Sequence, residues 1–560
     1  MFLSAFTRSR PLAAVVVLSI VALTGSFAEA QSGPGANAQQ VADAVARTTA
    51  LPANGAYQPN WNSLQSHGVP DWFYKAKFGI MMHWGVYSAP AKHNEWDEKY
   101  MYGANSGIRQ WYIDNFGRSD TFGYLDFLDP TKTAKPGSAA SAYYKPFTAN
   151  NWNPDQWAAL FKQSGAKVVS MTAQHHDAFA LWDSQVTPYN TKLMGPKRDL
   201  VGDLSKAVRA QGLKFGVQDH GIENYTFLKQ FTITDRANSD IDRPDRQPYY
   251  MPSAKQSPDP LTDFLVNWYE RNVELINKYQ PDLMWYDNGM NDRLLDPLKT
   301  KLSAYYYNQS QALGKEVIIS GKGDDADKSF LQGAIHDHEK MGRAPTSLRA
   351  TPWLVHDTLT NGNSWCYNMI DTPGVRGNAG TYIRTISHVT SLNGVFLLNI
   401  GPGPDGIIPQ AQQDILTGIG DWMADNGEAI YDTKPWKQFA EGSTSSGTTA
   451  STAFRFTLKG NDLYAIMMGW PTSGSTATIL SLGTGDHVGS TILGVELLGH
   501  GPLTFTRDDT KLLINLPPSQ PSGLNHVFSF KITGAGLVPE PSTLAILGLG
   551  AAALMRRRNR

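Results

Sequence analysis

One cysteine, Cys366, stands in the whole chain, so no intrachain disulfide can form and stability outside the cytoplasm must come from packing. No basic excess is present either. Lys and Arg number 49 against 50 Asp and Glu, a formal net charge of −1 that offers nothing to hold nucleic acid. A glycine-rich nucleotide loop is missing, which argues against a doubly wound dinucleotide-binding sheet. So is HExxH on a helix, the signature of one large class of zinc hydrolases. What the chain does have is aromatic weight: 11% of residues, fifteen of them Trp, suited to a cleft that packs indole faces against sugar rings. At 560 residues, two folded domains plus tails are expected.

Both ends carry targeting patterns. Residues 1–30 combine Arg8 and Arg10, an apolar stretch from Leu12 to Leu23, and Ala28-Glu29-Ala30, the layout of a signal peptide cut after Ala30. Residues 535–560 hold Pro539-Glu540-Pro541, an apolar segment from Leu544 to Met555, and arginines at 556–558 and 560, a stop-transfer pattern that predicts a transmembrane segment. This tail resembles the PEP-CTERM sorting signal. The resemblance implies export in a Gram-negative-type bacterium, transient membrane anchoring, and cutting by an exosortase-type enzyme. The destination it implies is the cell surface or extracellular matrix, with the periplasm as the alternative.

Between the tails, residues 31–55 are rich in Ala, Gln, Gly and Asn and read as a linker. From 56 to 436 one grammar repeats: an apolar run, then a cluster of His, Asp, Glu, Asn or Gly, as in "KFGIMMHWG" (77–85), "LKFGVQDHG" (213–221), "PDLMWYDNG" (281–289) and "GAIHDHE" (333–339). Amphipathic stretches such as 153–166 and 199–212 lie between these runs and end near a glycine. Such alternation predicts βα units, and polar clusters at strand C-terminal ends predict an α/β fold of the (β/α)8-like barrel type with its active site there. After Trp436 the pattern becomes short apolar–polar alternation separated by turns, which predicts an antiparallel β-sandwich over 437–534.

The strand ends collect His83, Trp84, Glu95, Trp96, His175, His176, Asp177, Trp182, Glu223, Asp287, His336, His338 and Glu339. Imidazoles and carboxylates bond sugar hydroxyls, while indoles cover the apolar ring face. Glycoside hydrolysis needs one ionised and one protonated carboxyl group. Asp287, delivered by the buried run "LMWY", suits the first role, and a Glu in an apolar, His-lined setting suits the second. Metal ligation by "HHD" and "HDHE" is the competing use. Against it, adjacent His175 and His176 point to opposite faces if their strand runs through them.

Several long motifs carry a resemblance over roughly 60–436 to the α-L-fucosidases of glycoside hydrolase family 29. They include 71–102 around "FGIMMHWGVY", 165–190 around "AQHHDAFALWDS", "DLMWYDNG", and 397–409, "LLNIGPGPDGIIP". The resemblance implies a (β/α)8-like barrel with a C-terminal β-sandwich, and a retaining double displacement without metal or other cofactor. By matched position it implies Asp287 as nucleophile and His83, Glu95, Trp96, His175, His176 and Trp365 as fucose-binding residues. Glu339 in "HDHEK" is the best match to the acid/base, with Glu223 in reserve. Gln218, Lys322 (for a usual arginine) and Cys366 depart from the family pattern, and 103–146 reads as an insertion above the barrel mouth. The expected partner is a fucosylated glycan or polysaccharide. A related α-L-galactoside, or fucose binding without catalysis, are the alternatives.

Overall fold

A computed structural model describes residues 33–536, apart from 104–105, 228–235, 247–248, 250–257, 324–326, 363, 473–474, 486–489 and 522–525. The expected signal peptide and nearly all of the expected sorting tail, with its transmembrane segment, lie outside the described residues. Among the described residues no helix is long and apolar enough to cross a membrane.

Eight parallel strands close into a barrel in chain order. They are β1 (Phe78–Met82), β2 (Val168–Gln174), β3 (Lys214–Asp219), β4 (Leu283–Tyr286), β5 (Ile318–Lys322), β6 (Ala334–Glu339), β7 (Trp353–Thr358) and β8 (Gly394–Ile400), and β8 pairs back onto β1. Alternation along each strand splits its side chains between two cores. Met81, Val168, Leu283, Trp285, Ile318, Ile335, Leu354, Val395 and Leu397 fill the barrel interior, with Phe73 plugging it. Their neighbours Ile80, Met82, Val169, Met171, Phe215, Val217, Met284, Tyr286, Ile319, Val355, Phe396 and Leu398 join the larger core under the surrounding helices.

Those helices start where the sequence marks them. Asn153 caps the helix Pro154–Gln163, Asp199 caps Leu200–Ala210, and Asp259 caps Pro260–Tyr279, each with a side-chain oxygen accepting a first-turn N–H. Gly165 and Gly212 take positive φ just beyond the first two, as C-terminal glycines do.

The stretch expected as a linker is not extended chain. Residues Ala38–Arg47 form a helix with an Asn37–Gln40 capping box, and its Val41 and Ala44 are buried against the helices Pro260–Tyr279 and Asp296–Ala312. Lys301 closes its C-terminal end, with Nζ 2.7 Å from the Val45 carbonyl and 3.0 Å from that of Thr48. Spacing of the small apolar residues along one helical face outweighs the polar composition of the segment. The expected insertion forms a helix, Ser106–Asn115, and two 3-10 turns around Tyr112, Phe116, Phe122, Phe127 and Tyr144. It leans on the loops after β2 and β8, through Tyr124 OH donating to Asp177 at 3.0 Å and Lys145 pairing with Asp405 at 2.6 Å.

Beyond the barrel, a six-stranded antiparallel sheet faces a three-stranded one over a core that includes Trp436, Phe454, Phe456, Leu463, Met467, Leu512 and Phe530. In the strand Phe454–Lys459 alternation again sends residues two ways. Phe454 and Phe456 enter the sandwich core, while Arg455 and Thr457 face the barrel helices. Arg455 is fully buried without a carboxylate: it donates to His388 Nδ1 at 2.9 Å and to the carbonyls of Ser443, Ser445 and Phe454. Burial holds the His388 pKa down at about 3, so its imidazole is a neutral acceptor. Arg455→Ala strands these buried acceptors and is expected to cost about 3 kcal/mol. Thermal unfolding followed by circular dichroism should show a midpoint several degrees lower. An unchanged midpoint would show that this contact does not hold the sandwich to the barrel.

Candidate active site

Following the interior side chains of each strand toward its C-terminal end leads from packing to chemistry. Met81 is followed by His83, Gln218 by His220, Trp285 by Asp287, Ser320 by Lys322, Asp337 by Glu339, Leu354 by His356 and Leu397 by Asn399. Each lies two residues further along the same face. The carboxylate of "LMWYDNG" is thus the residue that the Leu283–Trp285 face presents at the barrel mouth. Below this layer, Trp285 Nε1 donates to Asp337, whose carboxylate lies 2.7 Å from His356 Nδ1.

Two carboxylates meet across one lysine. Lys322 Nζ lies 3.0 Å from Asp287 Oδ1 and 2.9 Å from Glu339 Oε2, which places those oxygens within about 6 Å of each other. Burial alone pushes both carboxyl pKa values up. For Asp287 the charges of Lys322 and His220, with bonds from His176 and His220, outweigh it and hold the group well below its ordinary range. Glu339 is likewise lowered, against its burial, chiefly by Lys322. Burial works against the Lys322 ammonium, yet the two carboxylates raise its pKa.

Two imidazoles flank the other oxygen of Asp287, and the rings of His83 and His175 pack against one of them, His220, at 5.2 and 4.3 Å between centroids. His220 Nδ1 lies 2.8 Å from Oδ2, and His176 Nε2 lies 3.5 Å from it. His176 Nδ1 meets the His220 carbonyl at 3.0 Å and Glu223 Oε2 at 3.4 Å. Burial disfavours a charge on His176, but Glu223 and Asp287 together raise its pKa. Glu223 is raised, first by its own burial and then by Asp287, with His176 opposing. Burial holds His83 and His175 well below the ordinary imidazole range, so both are neutral. His83 Nδ1 is fixed by Asn399 Oδ1 at 2.7 Å, while Asn399 Nδ2 donates to the Trp365 carbonyl at 2.7 Å. Trp365 N–H in turn donates to Glu95 Oε2 at 2.9 Å, and burial lifts the Glu95 pKa to about 7. The rings of Trp365 and Trp96 border the group, 5.6 Å from His83 and 5.5 Å from His176.

The structure therefore brings His83, Glu95, Trp96, His175, His176, Asp287, Glu339 and Trp365 into one cluster at the barrel mouth. His336 and His338 fall on the other face of β6 from Asp337 and Glu339, and the His338 ring packs 5.7 Å from Trp353. His175 and His176 do not point apart. Pairing of β2 with β3 becomes irregular after Thr172 and the strand ends at Gln174, so both imidazoles turn inward, with ring centroids 4.5 Å apart. His220 and Asn399 escaped the sequence reading, although "QDHG" and "LLNIG" obey the same strand-end grammar. Gln218 spends both polar ends on β2, accepting from Thr172 and donating to the Ser170 carbonyl, so it faces the barrel interior. Cys366 is buried with Sγ 3.5 Å from Ser364 Oγ, and burial pushes its thiol pKa well above the ordinary value.

Among the described residues two groups have the spacing to hold a metal ion, His83/His175/His220 and His176/His220/Asp287, with ligand atoms within 4.8 Å of one another. The same inward-facing nitrogens equally suit hydroxyl groups. Lys322 forms ion pairs with both acids, so Lys322→Met should let both carboxyl pKa values rise. Asp287 is ionised above its lowered pKa and loses that form as pH falls through it. The acid limb of a kcat/KM–pH profile should therefore move to higher pH in Lys322→Met, with kcat/KM about 10²-fold lower near neutrality. An unmoved limb would separate Lys322 from the ionisation of the pair.

Comparison with known families agrees with this geometry. The α-L-fucosidase profile matches residues 44–428, the α-L-fucosidase C-terminal domain profile residues 448–533, and the PEP-CTERM protein-sorting motif residues 537–560. Tissue α-L-fucosidase of Mus musculus is 30% identical over 478 residues, covering 85% of this chain and 94% of its own length. The Homo sapiens tissue enzyme is 31% identical over 482 residues, covering 85% and 92%. Among solved structures, Thermotoga maritima α-fucosidase in complex with fucose has a TM-score of 0.65 and 30% identity, over 85% of this chain and 100% of that one. With the barrel, the sandwich and the sorting motif each matched in order, this chain belongs to the α-L-fucosidase family of glycoside hydrolases.

Proposed function

We propose that the protein is an exported, retaining α-L-fucosidase that removes terminal α-L-fucosyl residues from glycans or polysaccharides by double displacement. The carrying observation is that Asp287 and Glu339 share one lysine at the barrel mouth, with their nearest oxygens no more than about 6 Å apart, so both carboxyl groups can reach one glycosidic bond as double displacement requires. Asp287 attacks the anomeric carbon as Glu339 gives a proton to the departing glycosidic oxygen. The fucosyl ester on Asp287 is then opened by a water whose proton goes to the Glu339 carboxylate. Neutral His83 and His175 and charged His176, with Glu95, accept and donate to the sugar hydroxyls, and Trp96 and Trp365 cover its apolar faces. Export rests on the PEP-CTERM match.

Two glutamates compete for the proton. Glu223 holds it more readily, but it sits behind His176, whereas Glu339 borders the opening with 17% of its side chain exposed. Lys322 keeps Glu339 ionised at rest, the form that the second step needs. A bound sugar and its leaving group desolvate Glu339 further, which raises its pKa toward the acid form of the first step.

Asp287→Ala should lower turnover of 4-nitrophenyl α-L-fucoside at least about 10³-fold, and azide should restore part of it as a fucosyl azide. Lack of rescue would move the nucleophile elsewhere. Glu339→Gln should slow fucosides with poor leaving groups far more than the 4-nitrophenyl one. If Glu223→Gln shows that selectivity and Glu339→Gln does not, the acid/base assignment passes to Glu223. Dialysis against EDTA should leave the rate unchanged; loss restored by added zinc would turn the histidines into metal ligands.

A further inference from the structure

The proton donor of a glycosidase touches the oxygen of the leaving sugar, so the surface just outside it is where that sugar rests. Outside Glu339 this surface is cationic. The segment 340–350 holds Lys340, Arg343 and Arg349 and no carboxylate, in a chain whose net charge is −1. Arg343 has 61% of its side chain exposed, and its Nη1 comes no nearer than 3.7 Å to Glu339 Oε2, an oxygen already held by Lys322 at 2.9 Å. Lys340 Nζ stands 5.4 Å from the ring centre of Trp365, beside the sugar site, where its charge is felt by the buried Glu95 without a direct ion pair among the described residues.

The backbone of Lys340 makes the point more strongly. It takes φ +62° and ψ 151°, a region essentially reserved for glycine, while its N–H is pinned to the His356 carbonyl at 2.9 Å. A glycine would adopt this conformation without strain. A lysine there bears the strain and sets an ammonium at the rim.

We infer that the surface beside Glu339 is a leaving-group subsite for an anionic sugar, one bearing a sulfate ester or a carboxylate, held by Lys340 and Arg343. The exposed guanidinium offers a planar pair of donors matched to either anion, and the lysine adds a point charge. This rests on the fucosidase reading and narrows its substrate. A neutral leaving sugar would bring no anion to either cation, leaving Arg343 with only the 3.7 Å contact to Glu339.

Three matched disaccharides test it, each with an α-L-fucosyl group on the same oxygen of galactose, galactose 6-sulfate or galacturonic acid. The full protein should cleave one or both charged substrates with a kcat/KM roughly tenfold above the neutral one, and the advantage should shrink from about 20 mM to about 200 mM NaCl. In the double variant K340Q/R343Q the charged-to-neutral ratio should fall toward one. Comparison of the sulfate and carboxylate arms identifies which anion is preferred. Equal rates on all three substrates in the wild type overturn the subsite, and so does a preference that survives in the double variant. Failure to cleave any fucoside, 4-nitrophenyl α-L-fucoside included, would instead sink the fucosidase reading beneath it.

Discussion

Eight parallel strands closed into a ring leave an interior that each strand can fill only with alternate side chains, and every other feature of the site follows from that restriction. The lower interior is apolar and tightly packed around Leu283, Ile318, Ile335 and Leu397. Two residues further along the same faces the interior reaches the barrel mouth, and those positions carry Asp287, Lys322, Glu339 and Asn399. The packing below fixes where these side chains stand, so the reacting groups inherit the rigidity of the barrel rather than the freedom of its loops.

Charge in this layer is balanced locally. Asp287 is enclosed by Lys322 on one oxygen and by His220 and His176 on the other, and Glu339 shares the same lysine. Without those partners burial would protonate both acids, and an acid in its neutral form cannot attack carbon. A second ring of bonds, from Asn399 to His83 and Trp365 and from Trp365 to Glu95, holds the neutral members in place. The two sets meet where the His83 ring packs against His220, 5.2 Å between centroids.

Much of this was legible in the sequence because strand ends announce themselves: an apolar run followed by His, Asp or Glu is hard to mistake. Asp287, Glu339, His83 and the His175–His176 pair all stood out in that way. Their relative placement was less legible. Simple alternation separates His175 from His176, and only the local irregularity between β2 and β3 turns both inward. His220 lay in plain view in "QDHG" but carried no label, since a lone histidine after a strand is as often a packing residue. The helix Ala38–Arg47 was hidden by polar composition, its burial resting on Val41 and Ala44 alone. Lys322 could be seen as a departure from the family's arginine, but not as the bridge between two acids, because bridging depends on contacts between β4, β5 and β6 that no single stretch encodes.

The lone thiol of Cys366 lies under Ser364 beside the cavity, sealed from solvent and held in its protonated form by burial. Thiolate, not thiol, reacts with oxidants and with other cysteines. A chain with one such sulfur has nothing to mispair during folding and no handle for cross-linking to a neighbour. The folded protein therefore has no intrachain disulfide to lose in reducing surroundings and presents its one sulfhydryl to oxidants only in the buried, protonated form.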